Sequence, residues 1–207
     1  MSSYDKLDHW SLKAQKEGYP ARSVYKLKEM DEKFGLFRGA KGGAPFRALD
    51  IGAAPGSWSL YALRKLAGAG FLAAADLAPL SRVYDKGLFD GNNFFFVQGD
   101  ITDPSVRDAL VSRGPYGLVM SDVAPSTTGN RSVDTLRSLA LVEEVVNYAE
   151  IGLEVGGNFV VKVFQGGEVQ NILKRLRGLF QTARSFKPEA CRSESFETYY
   201  LGLGKKG

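Results

Sequence analysis

A glycine-rich turn early in the chain has the composition of a nucleoside-binding loop. It reads Asp50-Ile-Gly-Ala-Ala-Pro-Gly-Ser-Trp58 and stands between a short apolar run and an amphipathic stretch. The turn matches neither G-x-G-x-x-G nor G-x-x-x-x-G-K-[ST], because Pro55 lies inside it and no lysine follows Gly56, and this argues against a phosphate ligand. Gly52 and Gly56 still allow a ligand to approach the backbone closely. We therefore expect a nucleoside-type ligand at this turn.

Aspartates lie at the ends of four successive apolar runs, where a parallel sheet presents its carboxyl ends to a ligand. They are Asp50, Asp76, Asp100 and Asp122. Asp76, 24 residues after Gly52, is placed to accept hydrogen bonds from ribose hydroxyls, and Asp100 could receive an adenine amino group. The alternative for any one of them is a helix N-cap or turn residue. Four in succession favour a binding site.

The rare residues limit the acid–base chemistry. The chain of 207 residues has one histidine, His9, and one cysteine, Cys191. This excludes a disulfide framework and a Cys/His zinc site, and leaves only His9 for any Ser-His-Asp triad. If the protein is an enzyme, we expect lysine, aspartate, glutamate or tyrosine to move its protons, and we predict no metal site.

Short apolar runs alternate with longer amphipathic stretches, which predicts a doubly wound α/β sheet. The predicted parallel strands cover residues 46–51, 70–76, 94–97, 118–122 and 158–164. The clearest helix runs from about Val133 to Val155, and Gly156-Gly157 is expected to end it. Its apolar stripe consists of Leu136, Leu139, Val142, Val146, Ala149 and Leu153.

The two ends of the chain differ from its middle. Residues 182–186 and 198–203 read as two final strands, which we expect to pair antiparallel because no helix-length segment separates them. A glycine-rich stretch at residues 39–45 predicts a loop. It divides the chain into a basic helical segment, residues 1–45, and a sheet domain, residues 46–207, which together form one compact unit.

Charge is segregated along the sequence. The net charge is only +4, but residues 1–47 carry ten basic and six acidic side chains, residues 48–161 carry eight and 13, and residues 162–207 carry nine and four. If the basic ends meet in space, they form a positive surface for a polyanion, and the acidic middle holds something else. The alternative is that the terminal lysines only solvate helices. The candidate phosphate contacts are Lys6, Lys13, Lys16, Arg22, Lys28, Lys33, Lys174, Arg175, Arg177, Arg184 and Lys187.

Composition also bears on the compartment. No apolar run approaches the roughly 20 residues that span a bilayer, and residues 1–6 hold no apolar signal region. We expect a cytoplasmic protein without a membrane partner. The single free cysteine is consistent with the cytoplasm, where thiols stay reduced.

Five motifs in order along the chain resemble the FtsJ family of S-adenosylmethionine-dependent ribose 2′-O-methyltransferases. They lie at residues 21–27, 50–58, 98–100, 121–125 and 156–165 and read ARSVYKL, DIGAAPGSW, QGD, SDVAP and GGNFVVKVFQ. The resemblance implies a Rossmann-like class I methyltransferase fold with a seven-stranded, mostly parallel sheet. Ser57 and Val123 depart from residues that are common in the family. These departures leave the assignment between its ribosomal RNA members and its transfer RNA members less definite.

The resemblance also implies functional residues. A catalytic Lys-Asp-Lys-Glu set falls on Lys26, Asp122, Lys162 and Glu197. S-adenosylmethionine contacts fall on Gly52, Gly56, Trp58, Asp76, Asp100 and Asp122. The implied substrate is a uridine ribose in large-subunit ribosomal RNA, within an assembling subunit, and the protein is expected to act as a monomer.

Lys162 follows Phe159-Val-Val161 in a buried strand, where a charge without partners is disfavoured. As a general base it would have to be neutral. Burial and the charge of Lys26 favour the neutral form, whereas Asp122 and Glu197 favour the charged form. The sequence therefore leaves two versions open: Lys162 deprotonates the 2′-hydroxyl, or it stays charged and stabilises the developing alkoxide.

Three functions remain in view at this stage. The favoured one is ribose methylation in large-subunit ribosomal RNA, and the second is the same reaction on a transfer RNA anticodon loop. A noncatalytic RNA-binding assembly factor is the third, although such a protein has no need of a lysine in a buried strand. A nicotinamide dehydrogenase is disfavoured because the third glycine is missing.

Overall fold

Seven β-strands form the central sheet of the protein in a computed structural model, which describes residues 8–38, 45–125, 131–166, 169–192 and 195–207. Lys6 and most of the glycine-rich loop at residues 39–45 lie outside the described residues. The strands, in chain order, are β1 Arg47–Ile51, β2 Phe71–Asp76, β3 Phe94–Gln98, β4 Tyr116–Ser121, β5 Leu153–Phe164, β6 Phe180–Phe186 and β7 Glu197–Lys205.

The sheet order is β3-β2-β1-β4-β5-β7-β6. Strands β1 to β5 pair in parallel, and β7 pairs antiparallel with both β5 and β6. The predicted doubly wound, mostly parallel sheet is therefore confirmed, as is the antiparallel final pair. The strand order reverses between β1 and β4, which is the switch point where such sheets bind ligands.

Six α-helices accompany these strands in the described part of the chain. They are α1 His9–Lys16, α2 Val24–Phe34, α3 Ser57–Leu66, α4 Pro104–Val111, α5 Arg131–Gly152 and α6 Val169–Leu179. None of these helices combines the length and the apolar character needed to cross a membrane.

Each face of the sheet has its own core because side chains alternate along the strands. Leu49 and Ile51 of β1 point to the face covered by α4, α5 and α6, which we call the α5 face. Ala48 of β1 points to the opposite face, where α2 and α3 pack. We call this the α2 face. Leu27 and Met30 of α2 are fully buried there, so the basic N-terminal segment shares the core of the sheet.

The long helix α5 ends earlier than its sequence pattern indicates. It stops at Gly152, and Leu153 already pairs with Tyr116 of β4. Lys205 Nζ donates to the carbonyls of Glu150 and Leu153 at 2.5 and 2.9 Å, which satisfies acceptors at the helix end.

Two further details of that helix prediction are wrong. Gly156, with φ +87°, lies inside β5 where the register with β4 shifts, and it does not end the helix. Leu136 is 67% exposed, whereas Val142, Val146 and Ala149 of the stripe are buried.

Candidate active site

The turn after β1 is held against the neighbouring strands. The N–H groups of Gly52 and Ala53 both donate to the Ala75 carbonyl of β2, at 2.9 and 3.1 Å. Gly52 has φ +76°, and a Cβ there would lie 2.6 Å from Val123 Cβ. Glycine is therefore required both by the backbone conformation and by the close approach of the segment after β4.

Asp76, at the end of β2, supports this turn and faces the ligand side. Its Oδ2 accepts a hydrogen bond from Ala54 N at 2.9 Å, and its Oδ1 accepts one from Ala78 N at 2.8 Å. Each carboxylate oxygen can accept a second hydrogen bond. Asp76 can thus hold the turn and still bind hydroxyl groups.

Asp100 is exposed beyond the end of β3. Its Oδ1 accepts hydrogen bonds of 2.8 Å from both the N–H and the hydroxyl of Thr102. The N-cap of α4 is Asp103, whose side chain accepts from Ser105 N. Asp100 is therefore a turn residue and not the helix cap.

These groups surround a cavity of about 430 Å³ at the carboxyl ends of β1, β2 and β4. Three carboxylates, Asp76, Asp100 and Asp122, line it together with Gly52, and no lysine or arginine does so among the residues the structure describes. Apolar side chains of Leu77, Ile101 and Leu141 complete the lining. We call this the acidic cavity.

Two predicted cofactor contacts lie outside the described lining of that cavity. Gly56 is the N-cap of α3 with φ +108°, and a Cβ there would meet the Phe89 ring at 3.0 Å. Trp58 is 2% exposed. Its indole N–H donates to the Ser23 carbonyl at 2.9 Å, and its ring packs 5.9 Å from that of Tyr199. Trp58 therefore joins α3 to the start of α2.

The four residues of the implied catalytic set do come together, on the α2 face. In the β5–β7 pair, Lys162 lies opposite Tyr199 and Phe164 lies opposite Glu197. Positions two apart share a face, so Lys162 and Glu197 both point toward α2, which carries Lys26. Asp122 follows β4 beside them.

Two ion pairs organise this cluster. Lys162 Nζ lies 3.2 Å from Asp122 Oδ1 and donates to the Asp122 main-chain carbonyl at 2.5 Å. Lys26 Nζ lies 2.7 Å from Glu197 Oε1. Burial alone would raise the pKa of Glu197, but the hydrogen bond and the charge of Lys26 outweigh burial and lower it. Glu197 is therefore ionised at neutral pH.

Sequence reasoning missed a fifth member of the cluster, Tyr199. This side chain is fully buried, and its hydroxyl donates to Asp122 Oδ1 at 2.6 Å. Burial, with a further contribution from the Asp122 charge, raises the pKa of Tyr199 well above its usual value, so the hydroxyl keeps its proton. The signal was available, because Tyr199 stands two residues after Glu197 in the predicted last strand.

A second cavity, of about 420 Å³, lies on the other side of Lys26 and Glu197. Three cationic side chains, those of Arg22, Lys26 and Arg192, line it together with Glu197. Ala21, Ser23 and Ser195 complete the lining. We call this the basic cavity.

The predicted basic surface is only partly assembled. The N-terminal helices do meet the segment after β6, since Arg22 NH2 donates to the Ala190 carbonyl at 2.6 Å and Phe34 packs on Phe186. Helix α6, which carries Lys174, Arg175 and Arg177, instead packs on the α5 face. Arg175 pairs there with Glu150 at 2.7 Å. The described N-terminal basic residues, from Lys13 to Lys33, and the α6 set therefore flank different faces of the sheet.

Asp50 is the one predicted acidic residue that is sealed off from the cavities. It is fully buried on the α2 face, where Ser59 Oγ donates to its Oδ2 at 2.6 Å. Its Oδ1 has no hydrogen-bond partner. Burial, together with the charges of Asp122 and Asp76, raises its pKa to about 7.

The acidic cavity fits S-adenosylmethionine by the chemistry of its donor set. Carboxylates can accept hydrogen bonds from ribose hydroxyls and amino groups and are complementary to a positive sulfonium, whereas they would repel the phosphates of a dinucleotide. Gly52 and Gly99 keep the backbone open where a Cβ would meet neighbouring atoms at 2.6 and 2.8 Å. No cluster of metal-binding side chains occurs in the described residues.

Two solved structures illustrate the architecture that this chain shares with known proteins. A putative ribosomal RNA methyltransferase from Plasmodium falciparum superposes with a TM-score of 0.73 at 25% identity, covering 91% of this chain and 100% of that chain. The fibrillarin/Nop5p complex gives a TM-score of 0.57 at 17% identity, covering 87% of this chain and 82% of that chain. This second likeness shows the fold alone.

Curated relatives match at higher identity over the full chain. The ribosomal RNA large subunit methyltransferase E of Treponema denticola is 53% identical over 207 residues, which is 100% of this chain and 98% of that protein. Its namesake from Oleidesulfovibrio alaskensis is 46% identical over 202 residues, covering 97% and 92%. The profile of the FtsJ-like methyltransferase family matches residues 19–205. The chain therefore belongs to the FtsJ-like methyltransferase family, whose methyl donor is S-adenosylmethionine.

Proposed function

We propose that this protein methylates the 2′-hydroxyl of a uridine ribose in large-subunit ribosomal RNA. The observation that carries the proposal is the position of the ion-paired cluster between two cavities of opposite charge. Asp122 lines the acidic cavity, while Lys26 and Glu197 line the basic cavity. The acidic side suits a cationic donor, and the basic side suits a polyanion.

Residues of the acidic cavity would hold S-adenosylmethionine. Asp76 would accept the ribose hydroxyls, Asp100 would accept the adenine amino group, and the backbone at Gly52 would allow close approach. When bound, the sulfonium supplies an electrophilic methyl group. Gly56 and Trp58 contribute by holding the turn and the start of α3.

The basic cavity would receive the RNA strand. Relatives named ribosomal RNA large subunit methyltransferase E align over almost the whole chain, which supports the same RNA as substrate here. Because a ribose in folded RNA is recognised through shape and backbone contacts, we expect an assembling large subunit to present the target as a local loop. We expect the protein to act as a cytoplasmic monomer.

Lys162 is the group proposed to take the proton of the 2′-hydroxyl. As a neutral amine it has two N–H bonds and one lone pair, and two acceptors of Asp122 face it at 2.5 and 3.2 Å. If both N–H bonds go to Asp122, the lone pair is directed elsewhere, toward the hydroxyl. Lys26 and Glu197 would complete the frame that orients the ribose, and such positioning contributes several kcal/mol to catalysis.

Mapping of the transferred label tests the proposed substrate. The protein is incubated with labelled S-adenosylmethionine and, separately, with total transfer RNA, ribosomal RNA and undermethylated large subunits. We expect label on a ribose of large-subunit RNA. Label on a base would overturn the mechanism, label on transfer RNA would overturn the substrate, and no transfer to any RNA would favour a binding factor.

The single-turnover pH–rate profile of Lys162→Arg tests the role of Lys162. Arginine stays charged across the accessible pH range, so it can stabilise an alkoxide but cannot serve as a base. We expect loss of activity at every pH. Near wild-type activity would rule out the base role and leave Lys162 as a charged stabiliser.

A further inference from the structure

Asp8, at the start of α1, faces the two arginines of the basic cavity. Its Oδ2 pairs with Arg22 NH1 and lies 3.8 Å from Arg192 NH2. Burial alone would raise the pKa of Asp8, but hydrogen bonds from Ser11 and Arg22 lower it. An ionised carboxylate therefore lies where two guanidinium groups converge.

Hydrogen bonds of Arg22 and of its chain neighbours fix the position of this arginine. Arg22 NH2 donates to the Ala190 carbonyl at 2.6 Å. Its chain neighbours are tied to α3, because Ser57 bonds to both the N–H and the carbonyl of Ala21 at 2.8 and 3.1 Å and Trp58 bonds to Ser23. The arginine is thus positioned by the helix that begins at the glycine-rich turn.

Arg192 contributes a cation that is still available to a ligand. Its side chain is 63% exposed, and its contact with Asp8, at 3.8 Å, is too long for a hydrogen bond. An arginine guanidinium has five N–H donors and matches the geometry of phosphate oxygens. The Asp8 carboxylate leaves most of these donors unused.

The location of the pair favours one class of ligand. Lys26 and Glu197 of the catalytic cluster line the same cavity as Arg22 and Arg192. In an RNA strand the 2′-oxygen and the 3′-phosphate are carried by adjacent carbons of one ribose. A ribose whose 2′-hydroxyl reaches the cluster must therefore bring a backbone phosphate close to it.

We propose that Arg22 and Arg192 bind the RNA phosphate next to the target ribose, and that Asp8 is an internal anion that competes for this site. The proposal rests on the proposed function, since it names the part of the RNA substrate that the basic cavity recognises. Asp8 weakens RNA binding by neutralising the arginines, and it thereby selects RNA segments that are held by further contacts.

Asp8 also caps α1, and this structural role can be separated from its charge. Its Oδ1 accepts a hydrogen bond from Ser11 N at 2.9 Å. Asparagine caps helices as well as aspartate does, so Asp8→Asn removes the charge and keeps the cap. The matched control is Asp108→Asn, which removes an equal charge from an exposed position on α4.

The test measures binding of an unmodified large-subunit ribosomal RNA transcript across a series of KCl concentrations. Asp8→Asn is expected to bind about two- to fivefold more tightly than Asp108→Asn. Arg192→Gln is expected to bind more weakly than Arg177→Gln, which replaces an exposed arginine on α6. Arg192→Gln should also reduce the magnitude of the negative slope of log K against log salt by about 0.7. In the Asp8→Asn, Arg192→Gln double variant, the gain from Asp8→Asn should be smaller than in the wild-type background, because only Arg22 remains for Asp8 to neutralise.

Two outcomes would overturn the phosphate site. Asp8→Asn could match Asp108→Asn, or its gain could survive unchanged in the Arg192→Gln background. Methyl transfer to undermethylated large subunits is measured in parallel with the wild-type protein. Transfer without the binding pattern refutes the phosphate site alone, whereas the binding pattern without transfer refutes the proposed function and leaves the site standing.

Discussion

The Tyr199 hydroxyl donates a hydrogen bond of 2.6 Å to Asp122 Oδ1, the same oxygen that lies 3.2 Å from Lys162 Nζ. Tyr199 is also the β7 residue that pairs with Lys162 of β5. One buried side chain therefore fixes the carboxylate that holds the proposed base. The same ring lies 5.9 Å from Lys26 Nζ and from the Trp58 ring, so it connects both ion pairs with α3.

Tyr199→Phe should lower the single-turnover rate of methyl transfer about 10- to 100-fold. It removes one hydrogen bond to a charged group, which contributes about 1.5 to 3 kcal/mol, and lets the Asp122 carboxylate rotate away from Lys162. We expect kcat to fall while the KM for RNA stays within about twofold, because Tyr199 lies beneath the cluster and does not line the basic cavity.

Tyr200→Phe is the control for that substitution. Tyr200 is the next residue of β7, and its ring belongs to the core of the α5 face. It should keep the wild-type rate. An equal loss of rate in both variants would mean that removing any tyrosine hydroxyl from β7 impairs the enzyme. An unchanged rate in Tyr199→Phe would show that Asp122 is held in place without the Tyr199 hydroxyl.

Lys26→Met should destabilise the fold by about 3 to 5 kcal/mol, because it leaves Glu197 as a buried charge without its main partner. The two side chains are only 11% and 12% exposed and lie 2.7 Å apart. The Lys26→Met, Glu197→Gln double variant should be more stable than Lys26→Met alone, since neither charge remains. Urea unfolding measures the free energies of the wild type, Lys26→Met, Glu197→Gln and the double variant, and simple additivity of the two single effects would argue against a coupled pair.

Asp50 makes the stability of the protein depend on pH. Its pKa is about 7 in the folded protein and about 3.9 in an unfolded chain. Between these values the folded state holds a proton that the unfolded state has lost, so stability falls as pH rises from about 4 to 7. In Asp50→Asn this contribution is absent. The free energy of unfolding of the variant should therefore rise by about 2 to 3 kcal/mol relative to that of the wild type between pH 5 and pH 8.

Unfolding free energies measured across that pH range check this prediction, with the exposed Asp108→Asn as the control. The control should show a constant difference from the wild type. A difference between Asp50→Asn and the wild type that does not change with pH would mean that Asp50 is ionised at all these values.

Several parts of the site follow from local sequence signals. Lys162 could be placed at the end of a buried strand because apolar residues surround it in the sequence, and the carboxyl ends of parallel strands must share one edge of a sheet. The acidic cavity follows from the same rule, since Asp76, Asp100 and Asp122 each come after a strand.

Other parts depend on contacts between distant residues, and no local pattern carries them. Trp58 bonds to Ser23 across 35 positions, which moves it away from the predicted cofactor contact. Carbonyls at the end of α5 accept hydrogen bonds from Lys205, more than 50 residues further on. The ion pairing of Asp8 with Arg22 and Arg192 likewise requires three separate segments to meet. Such contacts are fixed by tertiary packing and not by propensity.

Gly52→Ala should disrupt the acidic cavity, and Gly68→Ala provides a control with nearly the same backbone conformation. The two glycines have φ of +76° and +78°. Both alanines would pay the left-handed strain of about 1 to 2 kcal/mol. A Cβ at Gly68 has nothing within 4 Å, whereas at Gly52 it would lie 2.6 Å from Val123 Cβ and 2.8 Å from Val123 Cα.

The clash at Gly52 involves backbone, so it can be relieved only if the turn after β1 moves away from the segment after β4. We expect Gly52→Ala to lose about 1 to 3 kcal/mol more than Gly68→Ala in thermal unfolding. Its affinity for S-adenosylmethionine, measured by calorimetry, should fall at least about tenfold, because Gly52 and Val123 both line the acidic cavity and 1.4 kcal/mol corresponds to that factor. Gly68→Ala should keep the wild-type affinity. Equal effects of the two substitutions on both measurements would mean that strain alone matters and that the close approach of Gly52 to Val123 has no part in holding the methyl donor.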